Sequence, residues 1–533
     1  MQEAIKKEIK STSRRMIAKI VAKNKKFEEH RERIRKRTGS TPFPVNLPAR
    51  TNDHFDPYFC TKNCNVISKV IWARIQKGTY TPERARTFDI PKKDGGTRPL
   101  TAFSIPDNVV AKLVYRSIVK RNLRAFSPDS YAYLPDRDIF DAIKALGDTN
   151  PHEKTFAIQV DFKKFFDNIP HEFLDNLIGA NSENRSPLRI TSTERRIIKA
   201  FMSHESEKTI VKKASGATQK IKEKRSVGTP QGSSVSLILA NLALHDLDKS
   251  LQLKSGKFVR YADDVVALTN NYEQALQVEQ AFYDHAHKNA LEINRNKSPG
   301  ISAFSETEQE IRTTGHIDFL GYRFTPRGTT ISDQVEKKIK LKIGRLVNLY
   351  LIQYIRGGSF NPARVSVSAP QFDWDLLGLI SELRKTIYGG NSEKNICDCL
   401  YREEKIKRMH GIMAHYALVD DLSPFVRLDG WMVNNIRRAM KHRKTLIRHA
   451  LGVTYTSGLT PNNAQVIDGS WLDMNAWIKK EGEDGIEPLP EVRLPSFVRA
   501  CKAAKLHAKN HGIDRRSKGL NGSSDDLSDL LEY

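Results

Sequence analysis

The chain has 533 residues, 39% of them hydrophobic, which is long enough for three or four domains and apolar enough to build real cores. Its 87 Lys and Arg against 62 Asp and Glu leave a net charge of +25, which favours a polyanionic partner such as nucleic acid over a merely basic, solvated surface. No apolar run reaches 18 residues and the segment MQEAIKKEIK is charged, so we expect a cytoplasmic protein without membrane contact.

The five cysteines are Cys60, Cys64, Cys397, Cys399 and Cys501. An odd number scattered over a long chain indicates reduced thiols and no disulfide framework. Their intervals do not match a common zinc pattern, so we interpret them as packing residues.

Residues 1–40 carry 14 Lys and Arg against 5 Glu, with apolar residues at loosely helical intervals. This pattern predicts a basic helical arm, for which contact with phosphates is favoured over a purely solvated helix. The Pro-rich stretch STPFPVNLPAR follows it as an extended linker.

The stretch TFDIPKKDGGTRPLTAF, residues 87–103, predicts two strands joined by a Lys-Lys-Asp-Gly-Gly turn. Lys92 and Arg98 lie on and beside its tip, where such cations can bind a triphosphate; taken alone, an ordinary exposed turn is the simpler interpretation. Residues 107–123 then predict a helix with Asp107 as its N-cap.

An isolated acid, Asp161, lies at the end of a predicted buried strand in FAIQVDFKKFFDNIP, residues 156–170. Asp161 follows the apolar run FAIQV, so its carboxylate can emerge into a cleft while the sheet holds its backbone. Phe165 and Phe166 follow, and a core position is the default for both, although one of them can line a nucleotide pocket. The polar insert at 176–226 has no pattern that we can interpret.

The stretch GTPQGSSVSLILANLALHDLD, residues 228–248, predicts a glycine-bracketed loop that leads into an apolar helix. Gly228 and Gly232 allow the backbone to approach a base pair closely, and Gln231 and Ser236 supply neutral hydrogen bonds. The alternative is a plain helix N-terminus that the serines cap.

Two adjacent acids occupy a predicted turn in FVRYADDVVAL, residues 258–268. Asp263 and Asp264 repel one another there, and a shared divalent cation is the usual remedy, whereas a solvated turn is the simple alternative. Asp161 lies 102 residues upstream on a predicted neighbouring strand. Together these acids can hold two Mg²⁺ ions, the arrangement that activates a 3′ hydroxyl and stabilises departing pyrophosphate.

The C-terminal half predicts more helix. After a helix at 273–289 and Lys297, the segment HIDFLGYRF predicts a hairpin around Gly321, and apolar residues recur every four positions from 335 to 355. A helix at 428–452 carries six Arg and Lys between residues 437 and 448 and no acid, which indicates a phosphate-binding face. Residues 453–533 predict an acidic Pro-rich linker, a short basic helix and a disordered tail.

In this order the motifs resemble the reverse transcriptases, from about residue 80 to about residue 330. RYADDVV is similar to the family's YxDD motif, QVDFKKFFDNI to the motif with its first aspartate, GTPQGSSVS to its template-and-nucleotide loop, IPKKDGGTRPL to its fingers motif and DFLGYRF to its primer grip.

The resemblance implies a right-hand polymerase of mixed α/β class, with fingers and an antiparallel palm sheet followed by a helical thumb. The implied division is 1–50 arm, 51–330 fingers and palm, 331–452 thumb and 453–533 extension. It implies two Mg²⁺ ions, dNTPs as substrates, a DNA product and an RNA template, either an intron RNA or a co-encoded structured RNA. The implied site residues are Asp161, Asp263 and Asp264 for metal and catalysis; Lys92, Arg98, Phe166, Gln231 and Lys297 for the nucleotide; and Gly228, Pro230, Gly232, Ser236, Gly321, Tyr322, Arg437, Arg438 and Lys441 for template and primer.

Within the family, the loop followed by LANLALHDLD and RYADD is most similar to the bacterial group II intron branch and its defence-associated relatives of the unknown group. LDGWMVNNIRRAM resembles the intron maturase thumb, but the last 80 or so residues show no His-Asn-His or CxxC pattern. We therefore expect a free-standing bacterial enzyme with a role in anti-phage defence. Two alternatives stay open: an RNA-dependent RNA polymerase, disfavoured by RYADD and Phe166, and a maturase-like RNA-binding factor, disfavoured by the three acids.

Overall fold

The computed structural model describes residues 1–38, 52–91, 97–148, 155–179, 186–211, 218–308, 311–358, 361, 373–406, 409–452, 463–470 and 492–513. The chain divides into two compact units, residues 1–24 with 46–315 and residues 25–45 with 316–533. In the described part of the chain, helices α1 to α18 span Gln2–Thr38, Pro57–Lys62, Cys64–Lys77, Ile105–Asn122, Ile139–Gly147, Phe165–Asn168, His171–Leu177, Ser192–Met202, Ser234–Ala243, His245–Lys254, Tyr272–Lys288, Asp333–Asn348, Tyr354–Arg356, Trp374–Tyr388, Glu393–Arg402, Ser423–Leu451, Asn463–Asp468 and Phe497–His511. Strands β1 to β12 span Ala85–Pro91, Thr97–Ala102, Phe156–Val160, Glu205–Val211, Thr218–Lys224, Lys257–Tyr261, Asp264–Thr269, Gly300–Phe304, Thr313–Thr314, Ile317–Phe319, Tyr322–Thr325 and Gly328–Ile331.

The first unit is built around a five-stranded sheet in the order β6-β7-β3-β8-β9. Its first four strands pair antiparallel, and only the short edge strand β9 pairs parallel to β8. Strands β3, β6 and β7 confirm the strands predicted on both sides of the acids. Helix α11 packs on β3 and β7, so the centre of the sheet is buried among apolar side chains.

A second sheet of the first unit has the order β2-β1-β4-β5. Strands β1 and β2 form the predicted antiparallel hairpin, with Phe88 opposite Leu100, but its tip at 92–96 lies outside the described residues. Strands β4 and β5 form a second hairpin inside the polar insert for which the sequence indicated no structure. Strand β4 pairs parallel to β1, which makes this insert part of the sheet.

Two details of the first unit differ from the sequence prediction or refine it. Helix α4 begins at Ile105 with Ser104 as its N-cap, whereas the sequence predicted Asp107. The Asp107 carboxylate instead lies buried within the first turn of α4, where it accepts hydrogen bonds from the hydroxyls of Tyr80 and Ser104 and from the backbone N–H of Glu83. The predicted basic arm is the helix α1, and its first turns are docked through buried Ile5 and Ile9.

The second unit combines a three-stranded antiparallel sheet, β10-β11-β12, with packed helices. β10 and β11 form the hairpin predicted around Gly321. The predicted helical region from 335 to 355 consists of α12, a wider π-helical turn over Leu349–Gln353, and α13. The wider turn explains the four-residue spacing, because a regular helix of 3.6 residues per turn would rotate Leu351 and Ile355 away from the buried face.

Helix α18, the predicted short basic helix, is part of the core of the second unit. Phe497 and Cys501 are fully buried, and Asp429 of α16 accepts hydrogen bonds from the backbone N–H of Phe497 and the hydroxyl of Ser496 at 2.7 and 2.6 Å. Four of the five cysteines are buried and all are free thiols, in line with a packing role. The predicted linker between 481 and 491 and the tail beyond 513 lie outside the described residues.

The predicted fold class, mixed α/β with an antiparallel sheet that carries the acids and a helix-rich region after it, is confirmed. A search of the helices in the described residues finds none with the length and hydropathy needed to cross a lipid bilayer.

We predict that Phe497→Ala lowers the free energy of unfolding by about 3–5 kcal/mol, because it opens a cavity in the core of the second unit. Urea denaturation followed by circular dichroism measures the change. Lys502→Ala, at an exposed position of the same helix, is the matched control and should leave stability within about 0.5 kcal/mol. Equal stability of the two variants would show that α18 is not integral to this unit.

Candidate active site

The turn between β6 and β7 presents two acids at one end of the five-stranded sheet. Tyr261 pairs with Asp264 across the hairpin, so Ala262 and Asp263 form the two-residue turn. Ala262 has a φ of 62°, in the left-handed region that costs an L-residue about 1–2 kcal/mol. The hairpin therefore needs support from outside the turn.

A buried arginine gives this support. The guanidinium of Arg260 donates to the Ala262 carbonyl at 2.8 Å and to Asn241 Oδ1 at 3.0 Å. Its other nitrogens donate to both carboxylate oxygens of Asp248 at 2.6 Å, and the exposed fractions of the two side chains are 0% and 2%. Sequence reasoning missed Asp248 and Asn241. The sequence contained a signal for such partners, since Arg260 is a charged residue within an apolar strand and a buried charge requires a partner.

The third acid lies next to this turn. Val160, the last residue of β3, pairs with Val265 of β7, so Asp161 emerges beside Asp264 at the same end of the sheet. The backbone N–H of Asp161 donates to Ser298 Oγ at 3.0 Å, and Asn294 Nδ2 donates to Asp161 Oδ2 at 2.8 Å. The segment after α11 therefore orients the Asp161 carboxylate.

The three acids are close enough to interact electrostatically. The pKa of Asp264 is raised to about 7; loss of hydration is the largest cause, the charges of Asp263 and Asp161 contribute to the rise, and the charge of Lys297 opposes it. Asp264 begins β7 at an exposed position, so solvent screens part of the electrostatic effect on its carboxylate. Like charges held together in this way favour a bound cation.

The acids suit a metal that completes its coordination from outside the protein. No group of three or more His, Cys, Asp or Glu side chains in the described ranges is arranged to hold a metal ion by itself. Mg²⁺ is commonly bound by one or two carboxylates together with water and substrate phosphates, so oxygen ligands from Asp161 and Asp263 fit it.

The glycine-bracketed loop is packed tightly against its neighbours. Gly228 has a φ of 73°, and a Cβ there would lie 2.4 Å from the Asp167 carbonyl oxygen. Gly232 has a φ of 127°, and a Cβ there would lie 2.3 Å from the carbonyl oxygen of Thr101 in β2. Both glycines are therefore required by backbone contacts within the protein, whatever else the loop contacts.

The polar residues of the loop hold its shape. Ser236 Oγ is buried and donates to the Pro230 carbonyl at 2.7 Å, and Gln231 Nε2 donates to Asp167 Oδ1 at 3.0 Å. Ser233 caps α9, as the alternative interpretation of this stretch stated. Ser236 thus fixes the loop from within, whereas Gln231 is only partly buried.

Phe165 and Phe166 lie on the short helix α6 beneath this loop. Both are buried, with exposed fractions of 2% and 9%. The Phe166 ring packs edge-on against Phe165 and Tyr133, at centroid distances of 5.9 and 6.5 Å, and its carbonyl accepts from the Thr229 N–H. Phe166 therefore links the loop to the end of the acid-bearing strand.

The remaining predicted nucleotide-binding cations are only partly described. Lys92 lies outside the described residues, and for Arg98 the structure gives the strand β2 but no side-chain position. Lys297 is exposed, and it is close enough to Asp264 to lower the pKa of that carboxyl.

In the second unit, one predicted template contact is a core residue. The Tyr322 side chain is fully buried and its hydroxyl donates to the His415 carbonyl, so it packs within the unit and is not available to nucleic acid. Gly321, in the turn of the same hairpin, is partly exposed.

The basic face of α16 is present but smaller than predicted. Arg437, Arg438 and Lys441 are exposed, whereas Arg443 is buried and donates to Asp373 and Asp375 at 3.1 and 3.0 Å. Arg443 therefore pairs within the unit and does not belong to the exposed basic face of α16.

The segment that contains these motifs matches a known family. Residues 90–324 match the family described as "Reverse transcriptase (RNA-dependent DNA polymerase)". The Group II intron-encoded protein LtrA of Lactococcus lactis subsp. cremoris is 30% identical over 190 residues, 35% of this chain and 28% of that protein. The "Uncharacterized 91 kDa protein in cob intron" of Schizosaccharomyces pombe is 31% identical over 196 residues, 36% of this chain and 22% of that protein.

The chain spans 20 to 47% of the length of the curated relatives that it matches. A solved telomerase from Candida albicans, in complex with the TWJ fragment of telomeric RNA, aligns with 72% of this chain and 68% of that chain, at 12% identity and a TM-score of 0.38. The family match and the intron-encoded relatives confirm the resemblance to reverse transcriptases for the segment 90–324.

We predict that Arg260→Ala lowers the free energy of unfolding by about 3–5 kcal/mol, because it leaves Asp248 buried without its partner. Arg260→Lys should lower the free energy of unfolding by about 1–3 kcal/mol. The compact ammonium lacks the planar fork of the guanidinium and cannot reach Asp248, Asn241 and the Ala262 carbonyl at the same time. Chemical denaturation checks both values. As a control, Arg84→Ala removes an exposed ion pair with Glu205 and should cost at most about 1 kcal/mol; an Arg260→Ala variant as stable as this control would contradict the role of the buried pair.

We predict that Asp264→Asn stabilises the metal-free protein above pH 7 and not at pH 4. The folded pKa of about 7 lies above the ordinary 3.8, so the wild-type protein loses stability as pH rises between these values. The amide carries no charge, so its advantage should grow over this range and then stay constant, at about 1 kcal/mol or less after solvent screening. Thermal melting of both proteins in EDTA at both pH values measures the difference in stability. A difference of the same size at pH 4 and above pH 7 would contradict the raised pKa of Asp264.

Proposed function

We propose that this chain is an RNA-directed DNA polymerase that extends a 3′ hydroxyl with dNTPs by a two-metal mechanism. The observation that carries the proposal is the convergence of Asp161, Asp263 and Asp264 at one end of the sheet, inside the segment that matches the reverse transcriptase family. A protein that only binds RNA gains nothing from three crowded carboxylates, because they repel its phosphates.

In this proposal the acids bind two Mg²⁺ ions, with Asp161 and Asp263 as the main ligands and Asp264 as an assisting group or a support of the turn. When bound, such ions lower the pKa of the 3′ hydroxyl and neutralise charge on the leaving pyrophosphate. Asn294 and Ser298 keep Asp161 in place, and Arg260 keeps the turn in place, so the ligands need little rearrangement.

The incoming nucleotide is proposed to lie between the acids and the loop at 228–232. Lys92, Arg98 and Lys297 would bind the triphosphate through charge-assisted hydrogen bonds. Phe166 would lie beneath the sugar and exclude a 2′ hydroxyl, which gives a preference for dNTPs, and Gln231 would contact the nucleotide from the loop. The position of Phe166 between that loop and β3 supports this role.

In the first unit, Gly228, Pro230 and Gly232 are proposed to contact the template and primer. In the second unit, Gly321 is proposed as a separate contact. The exposed cations Arg437, Arg438 and Lys441 would bind the phosphate backbone, which is recognised by charge and A-form shape without base specificity. The template is an RNA of defined structure, either an intron RNA or a co-encoded RNA, and the physiological role implied by the resemblance is anti-phage defence.

A second candidate is a maturase-like factor that folds an RNA without needing catalysis. The similarity to a group II intron-encoded protein and the cationic face of α16 favour it. The two candidates differ in one respect, since only the polymerase needs Asp263.

Primer extension by the purified full chain tests the proposal. With Mg²⁺, an RNA template and an annealed primer, we predict DNA synthesis from dNTPs that falls by at least about 10³-fold in Asp263→Ala, because a metal ligand is lost. Lys224→Ala, at an exposed position of β5, is the control and should keep its activity.

Efficient incorporation of NTPs with poor incorporation of dNTPs would replace the proposal with an RNA polymerase. No synthesis by the wild-type chain, together with RNA folding activity that Asp263→Ala retains, would favour the maturase-like factor.

A further inference from the structure

A pocket of about 600 Å³ is lined by Lys163, two residues after Asp161, and by Asn294, which hydrogen-bonds to Asp161. It is formed by the C-terminal half of α11 and by the segment 291–296, with Lys163 at its margin. Pockets that bind small molecules commonly enclose about 300–1,000 Å³, so this one has the size for a ligand such as a nucleotide. None of the roles proposed above uses it.

The lining of the pocket combines an apolar floor, an exposed aromatic ring and cations. Leu291 is buried beneath it, whereas the ring of Tyr283 is 43% exposed and offers a surface on which a base can stack. Its single acid, Glu292, pairs with Lys163 at 2.6 Å. Arg295 is exposed and makes no hydrogen bond or ion pair within the described part of the chain, so the pocket keeps a net positive charge for a phosphate.

One residue of the pocket wall also holds Asp161. Asn294 donates from Nδ2 to Asp161 Oδ2 at 2.8 Å and from its backbone N–H to the Asp161 carbonyl at 2.8 Å. Its Oδ1 has no hydrogen bond among the residues that the structure describes, so a ligand donor can bind it. A ligand that contacts Asn294 would therefore change the orientation or the hydrogen bonding of the Asp161 carboxylate.

We propose that this pocket binds a nucleoside phosphate at a site separate from the acids, with the base on Tyr283 and the phosphate on Arg295, and that the bound nucleotide regulates Asp161 through Asn294. The proposed nucleotide binding depends only on the pocket, whereas the proposed regulation of Asp161 rests on the proposed polymerase function.

Isothermal titration of the full chain with ADP in EDTA tests binding, because nucleotide binding at the acids requires a divalent ion. We expect one site, with a Kd that rises about tenfold in Arg295→Glu and in Tyr283→Ala. Lys288→Glu makes the same kind of charge change on the neighbouring surface of α11 and should leave the Kd unchanged, as should Asp263→Ala. Thermal melting establishes that each variant is folded.

Absence of ADP binding by the wild-type chain, or an unchanged Kd in folded Arg295→Glu, would overturn the proposed site. Binding of a short single-stranded RNA with the same Arg295 dependence, and not of ADP, would also overturn it and make the pocket an RNA contact. For regulation, ADP should shift the Mg²⁺ concentration that gives half-maximal primer extension in wild type and not in Arg295→Glu. A chain that binds ADP but synthesises no DNA would overturn the polymerase function and leave the nucleotide site standing.

Discussion

The buried ion pair between Arg260 and Asp248 is the interaction on which the acid-bearing turn depends. It places a guanidinium beneath a hairpin whose first turn residue, Ala262, has an unfavourable backbone conformation, and it binds the carbonyl of that residue. A buried pair contributes little net stability when compared with apolar residues, but it enforces one geometry because any other arrangement leaves a charge unpaired. This explains how a short turn can hold Asp263 and Asp264 beside Asp161.

Repulsion among the acids is the second constraint. Asp264 loses hydration and lies close to two other carboxylates, and the charge of Lys297 offsets part of this. The sheet register, the hydrogen bond that Asn294 donates to the Asp161 carboxylate and the one that the Asp161 backbone N–H donates to Ser298 Oγ hold the carboxylates together against this repulsion. Carboxylates that are held together at this cost are already arranged for the cation that the proposed function requires. The exposed cations of α16 form a surface that suits a polyanion.

The strands that flank the acids and most of the helices were predictable because they depend on local periodicity, whereas β4 and β5 in the polar insert were not. The strands around Asp161 and Asp263, the hairpin at Gly321 and the long helix α16 all follow from it. The partners of buried charges were not predictable, because Arg260 with Asp248 and Arg443 with Asp373 meet only after folding. For the same reason the burial of Tyr322 and the integration of α18 into the second unit could not be inferred from composition.

Recovery of nucleic acid from cells tests the central claim, template-directed DNA synthesis at the three acids, most directly. The full chain and Asp263→Ala are purified under the same conditions, and the bound RNA and any associated DNA are sequenced. We predict the same RNA on both proteins and DNA complementary to it only on the wild type. Complementary DNA on both proteins, or RNA with no DNA on either, would contradict it.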